Sequence, residues 1–195
     1  MWPLPLVWPL PRVDVEVRRD HPISWWRADT ATTMSMNGPG PVDESWSFTV
    51  DVTPFDSEDA MRLRAAARVE TDGIVGQRSD FGTELTAPML ATHFVAHDRF
   101  GTPLGCGGLA SVGDGVYEIR RLYVRSDMRT HGVGSEILRR LEIVASELGA
   151  PAVVYETAPQ MLRALEFFEH RGYHRIALWG PYVASPFSVA LAKTF

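Results

Sequence analysis

From residue 46 onward the chain alternates between two hydrophobic periods. Phe48, Val50 and Val52 recur at every second position, the spacing of a half-buried strand, and Ser57 followed by Glu58 and Asp59 marks the start of a helix over 58–69. A polar, glycine-bearing stretch follows to about residue 86. Segments 93–97 and 104–112 then read as strands joined by a turn at 98–102, and 116–124 returns after Gly113, Asp114 and Gly115, so that the three make an antiparallel meander. The period next becomes helical. Val133, Ile137, Leu141, Val144 and Leu148 form one apolar stripe of the core-packing kind over 132–148, and Gly149 ends it. A short strand at 151–156, a helix over about 160–171 closed by Gly172, and strands at 173–178 and 187–193 complete the pattern. The expected class is α/β (α+β), with a mixed, mainly antiparallel central sheet flanked by helices on both faces.

Residues 1–45 carry no sustained period. Seven of the 14 prolines and four of the six tryptophans fall there, which predicts an irregular Pro/Trp-rich extension and leaves 46–195 as the regular domain. The extension's Trp2, Trp8, Trp25 and Trp26 suit packing on the domain or on a second copy in a homodimer. A net charge of -5 disfavours a nucleic-acid partner, whose phosphates demand a basic face. No apolar run approaches the ~18 residues that cross a bilayer, and the apolar start lacks a basic leader, so neither a membrane span nor a signal peptide is expected. The single cysteine, Cys106, has no internal disulfide partner and points to a reducing, cytoplasmic setting.

Candidate chemistry lies between the fourth strand and the second helix. In Arg129-Thr130-His131-Gly132-Val133-Gly134 the glycines let backbone approach a ligand closely, and the helix that follows opens with unpaired N–H groups and a positive dipole end, as a pyrophosphate requires. There is no GxxxxGK[ST] and no GxGxxG followed by an acidic residue. Nucleotide hydrolysis and hydride transfer are therefore disfavoured. A strand ending Leu122-Tyr123-Val124, followed by Arg-x-x-Gly-x-Gly, resembles the coenzyme A loop of the GNAT N-acetyltransferase superfamily. Two further segments resemble it in the same order: Glu118 to Arg125 is similar to the family's fourth strand, and Ala164 to Tyr173 to its A-x-x-[FL]-Y-E-x-x-G-[FY] helix and turn. The resemblance covers about residues 48 to 195.

It implies acetyl-CoA as co-substrate, no metal, and a small-molecule or peptide amine as acceptor. The backbone of Leu122, Tyr123 and Val124 would pair with the pantetheine arm, and the N–H groups of Thr130, His131, Gly132, Val133, Gly134 and Ser135 would hold the pyrophosphate, with Arg129 adding charge or bracing the loop. Direct transfer needs a neutral amine and a proton for the leaving thiolate. The resemblance places a base at Glu118; the same glutamate is equally suited to an ion pair with Arg120 or Arg121. Strict alternation puts Glu118, Arg120, Leu122 and Val124 on one face of their strand. Cys106, between Gly105 and Gly107, reads as buried packing.

Two positions depart from the family pattern. Phe168 stands where the resemblance places a general-acid tyrosine, and Met161 where it places an asparagine or glutamine. Tyr155, Tyr173 and Tyr182 are the candidates to replace the acid, alongside water. The expected function is N-acetyl transfer from acetyl-CoA to a primary amine by direct attack; the alternatives are a degenerate CoA-binding sensor or partner-binding module and an acyltransferase for another acyl-CoA. Segments 72–86 and 179–186 would shape the acceptor site.

Overall fold

The computed structural model describes residues 47–76 and 85–195, so the extension over 1–45 and most of the segment expected at 72–86 lie outside the described residues. The described chain runs β1 (Phe48–Val52), α1 (Glu58–Val75), β2 (Leu90–Asp98), β3 (Pro103–Gly113), β4 (Val116–Val124), α2 (Val133–Glu147), β5 (Ala152–Thr157), α3 (Leu162–Glu169), β6 (His174–Ile176) and β7 (Val189–Thr194). These strands form one sheet in the order β1-β2-β3-β4-β5-β7-β6. Tight turns make β2, β3 and β4 successive antiparallel neighbours, β1 pairs antiparallel with β2 although α1 lies between them in the chain, and β4 and β5 are parallel because α2 carries the chain back between them. β7 lies between β5 and β6, antiparallel to both.

Helices cover both faces. The α2 stripe places Val133, Ile137, Leu138 and Leu141 with Leu165 and Phe168 of α3 against Phe94, Leu109, Ile119, Val153 and Leu191. Burying each of these large side chains contributes about 1.5–3 kcal/mol. Closeness at this interface depends on Gly107, where a Cβ would come within 2.9 Å of Ile137 and 3.2 Å of Leu141. On the opposite face α1 seats Ala60 and Leu63 on Val95 and Cys106, and Ser57 caps its first turn by accepting from the Ala60 N–H at 3.4 Å.

Several boundaries differ from the periodicity, among them three with a visible cause. α1 runs on to Val75 through polar positions and stops at Gly76, which takes φ 75° and returns its N–H to the Asp72 carbonyl. β6 is three residues long, because at the sheet edge only Ala190, Leu191 and Ala192 oppose it. β7 starts at Val189, since the Ser185 hydroxyl accepts from the Phe187 N–H and the Ser188 hydroxyl and holds those residues in a turn.

Candidate active site

β4 holds a bulge that its sequence pattern does not reveal. Gly108 pairs with Arg120 and Cys106 with Tyr123, so Gly107 alone opposes two β4 residues, and Arg121 adopts a left-handed φ of 56°. Side-chain parity flips there. Tyr117 and Ile119 pack toward α2, and beyond the bulge so do Leu122 and Val124, while Tyr123 joins the cluster under α1. Glu118 and Arg120 therefore lie on the α1 face, and the expectation that Leu122 and Val124 share their face is corrected: one inserted residue exchanges the two sides of a strand.

The bulge coincides with an opening in the sheet. The parallel pairing of β4 with β5 covers only Tyr117, Ile119 and the residue between them, opposite Val153, Val154 and Tyr155. Beyond Ile119, β4 continues against β3 and β5 continues against β7. The β4 edge at Leu122, Tyr123 and Val124 thus has no strand on its β5 side among the described residues.

Glu118 sits at the mouth of this opening, only 3% exposed. One carboxylate oxygen, Oε1, accepts from the Tyr182 hydroxyl at 3.0 Å, and Oε2 accepts from Arg120 Nη1 at 3.0 Å. The same Nη1 donates to the Tyr182 oxygen at 3.2 Å, which closes a three-residue network. The ion pair with Arg120 that the sequence allowed is present. Burial pushes the Glu118 carboxyl up from the usual carboxylate range, opposed by Arg120 and by the Tyr182 hydrogen bond. Tyr182 comes from the segment between β6 and β7, inside the expected acceptor-shaping stretch 179–186.

Sequence reasoning missed Glu156 altogether. It stands two residues after Val154, the register partner of Glu118, and so shares the α1 face where β5 leaves β4. Burial raises its carboxyl as well; a Ser188 hydrogen bond opposes the rise and the Glu118 charge adds to it. Its alternation with Val154 along β5 was the available signal.

Beyond β4 the chain makes a short 3-10 turn at Ser126–Met128 and enters the glycine loop. Arg129 braces it. Its Nε donates to the Val124 carbonyl at 3.1 Å, and its Nη2 meets both Glu70 carboxylate oxygens on α1 at 2.7 and 2.6 Å. Thr130 takes φ 69° and Gly132 φ 83°, and Gly132 serves as the N-cap of α2 without a side-chain cap bond. The first turn of α2 consequently presents the N–H groups of Val133, Gly134 and Ser135 ahead of the helical ladder. His131 is exposed, with Nδ1 2.8 Å from the Arg129 carbonyl. Val133 is a core residue at 1% exposure, so its part in any ligand contact is confined to its backbone. A Cβ on Gly134 would point inward, 3.3 Å from Val124 and 3.4 Å from Phe167.

The tyrosine candidates separate cleanly. Tyr173 donates to Glu142 of α2 at 3.0 Å, and Tyr155 stacks on Phe168 at 3.8 Å with its hydroxyl pushed up to about 12, mainly by burial. Both are held in the α2/α3 layer. Tyr182 is the one bonded to Glu118. Phe168 itself is 1% exposed among Tyr155, Phe167 and Tyr173. Cys106 is fully buried, and burial pushes its thiol up to about 12, which leaves it without nucleophilic character. Among the described residues no group of three or more potential ligands could hold a metal ion, and no helix is long and apolar enough to cross a membrane.

A sequence description of the acetyltransferase (GNAT) family matches residues 58–173. An IAA acetyltransferase of Azospirillum brasilense is 30% identical over 101 residues, 51% of this chain and 66% of that protein. An uncharacterized N-acetyltransferase of Schizosaccharomyces pombe is 31% identical over 80 residues, 40% of this chain and 49% of that protein. The chain thus spans less than two thirds of either curated relative. Among solved structures, one described as an acyl-CoA N-acyltransferase from Klebsiella pneumoniae superposes with TM-score 0.66 at 21% identity, covering 75% of this chain and 97% of that one. A GNAT-family acetyltransferase from Staphylococcus aureus superposes with TM-score 0.59 at 10% identity, covering 75% and 98%. At such identities the likeness speaks for the fold. The family match extends over more than half of the chain and takes in the bulged strand, the glycine loop and the helix that packs beside it: this protein belongs to the GNAT acetyltransferase family.

Proposed function

We propose that the chain is an N-acetyltransferase that moves an acetyl group from acetyl-CoA to a primary amine by direct attack. The observation that supports it is a juxtaposition on one strand: β4 carries a buried carboxylate at Glu118, an edge unpaired toward β5 at 122–124, and the glycine loop at its end. Those features suit the cofactor. The space beside Gly132 is open, with nothing within 4 Å of a Cβ there, and backbone N–H groups converge at the start of α2. Thr130 to Ser135 would hold the pyrophosphate through their backbone, and 122–124 would pair with the pantetheine arm as an added strand does. The cofactor supplies an acyl group activated as a thioester.

Glu118 takes the proton from the incoming ammonium, directly or through the Tyr182 hydroxyl hydrogen-bonded to it. Arg120 holds the carboxylate in place. Tyr182 would then return a proton toward the leaving thiolate, the role that Phe168 cannot fill. Glu118 and Glu156 place two carboxyl groups on the α1 face, within reach of an amine entering there.

A second reading, a CoA-binding sensor without turnover, is favoured by one fact: both Glu118 oxygens are already engaged. Turnover separates the two. CoA at a hundredfold excess over its dissociation constant should stabilise the wild type by about 2.7 kcal/mol under either reading. Under the enzyme reading, Glu118→Gln keeps that shift but loses about 100-fold or more in acetylation across an amine panel. Because burial raises the Glu118 carboxyl, the wild-type rate should climb with pH above the ordinary glutamate range, and high pH should partly rescue the variant by neutralising the amine. Wild-type activity in Glu118→Gln at neutral pH would end the base assignment; a CoA shift with no turnover on any amine would establish the sensor.

A further inference from the structure

The arginine supplied by the loop motif is already neutralised within the fold. Arg129 is paired with both oxygens of Glu70 and bonded to the Val124 carbonyl, so its charge and its directed donors are engaged by α1 and β4. Any side-chain cation that adds to the backbone N–H groups at the loop must come from elsewhere.

Arg171, just past α3, has the required placement. Its guanidinium lies 3.7 Å over the Phe167 ring, Nη1 donates to the Phe167 carbonyl at 2.9 Å, and Nη2 donates to Ser135 Oγ in the first turn of α2. Phe167 in turn borders the Cβ direction of Gly134, so stack, serine and loop are contiguous. Among the described residues no carboxylate ion-pairs with Arg171. Glu142, whose charge it senses, is engaged by Lys193 at 2.9 Å and by the Tyr173 hydroxyl at 3.0 Å. A half-buried guanidinium set against the positive end of a helix, without an acid partner, is electrostatically unfavourable. Burial accordingly lowers its affinity for its proton. An anion bound between the guanidinium and the first turn of α2 would relieve both charges at once.

We propose that Arg171, rather than the motif's Arg129, supplies the side-chain cation that grips the pyrophosphate of the acyl-CoA, with Ser135 and Phe167 orienting its fork. The proposal rests on the reading of the loop as the acyl-CoA site. Titrating wild type, Arg171→Gln and Arg171→Lys with CoA, 3′-dephospho-CoA and pantetheine tests it through binding alone. Arg171→Gln should bind CoA and dephospho-CoA each roughly tenfold or more weakly, with pantetheine affinity unchanged, since only the first two carry a pyrophosphate. Arg171→Lys, which keeps the charge and loses the fork, should fall between. Ser135→Ala, which leaves the arginine in place but removes one of its braces, should lose a few-fold on the same two ligands. A loss on CoA that is absent with dephospho-CoA would move the contact to the 3′-phosphate and overturn the pyrophosphate assignment. Unchanged CoA affinity in Arg171→Gln would overturn the role entirely. A wild type that binds no CoA would instead sink the reading beneath it, and the two failures are distinguishable because only the second leaves no affinity to compare.

Discussion

The two ends of β4 offer a ligand different kinds of group. At its loop end the groups offered are backbone N–H groups, shaped by Gly132 at φ 83° and by the start of α2. Toward its middle they are side chains, with Glu118 held by Arg120 from the same strand and by Tyr182 from a segment more than sixty residues later. A backbone site depends on conformation and survives most changes of side chain; a side-chain network depends on each member. Mutations at the two ends should therefore fail in different observables.

Gly132→Asp should have the largest effect on binding. The new carboxylate enters open space at the start of α2 but on a left-handed backbone that suits glycine, so stability should fall by about 1–2 kcal/mol while CoA binding weakens by about 100-fold through repulsion. Isothermal titration beside a thermal melt reads both, and a variant with wild-type CoA affinity would break the contrast. An aspartate at Gly134 would press its Cβ on Val124 and Phe167 and mix misfolding with repulsion.

Tyr182→Phe tests the other end. It deletes one donor to a carboxylate that keeps Arg120, so turnover should fall about tenfold, a hydrogen bond to a charged group, while CoA affinity stays put. An equal loss in CoA affinity would show that the two ends are not separable.

The smallest change in turnover is expected from Phe168→Tyr. The ring is buried against Tyr155, Phe167 and Tyr173, so an added hydroxyl meets aromatic core; stability should drop by about 1–3 kcal/mol with kcat within about twofold of wild type. A clear gain in kcat would restore position 168 as the acid site and remove Tyr182 from it.

The sensor alternative also turns on this contrast. Glu118, Arg120 and Tyr182 form a closed network with 3.0, 3.0 and 3.2 Å contacts, so an enzyme should lose turnover when any one of them is changed, whereas a sensor has none to lose. Under the proposed function, the Tyr182 hydroxyl would take the role that Phe168 cannot.

The sequence alone determined the strand and helix order, the glycine loop, the burial of Cys106 and the identity of Glu118 as the carboxylate to watch. Each of these is local: hydrophobic period, turn residues and a six-residue motif act over a few positions, and a backbone site is built by the residues that carry its motif. Tertiary structure decided the rest. The bulge at Arg121 reversed which side chains accompany Glu118, because strand parity depends on pairing with Gly107 and Gly108 of the neighbouring strand. Arg129 was claimed by Glu70 from α1, Arg171 was brought to Ser135, and Tyr182 was chosen over Tyr155 and Tyr173. Those pairings join segments 36 to 64 residues apart, and no periodicity along a chain encodes which of several arginines or tyrosines will meet a given partner once the sheet has closed.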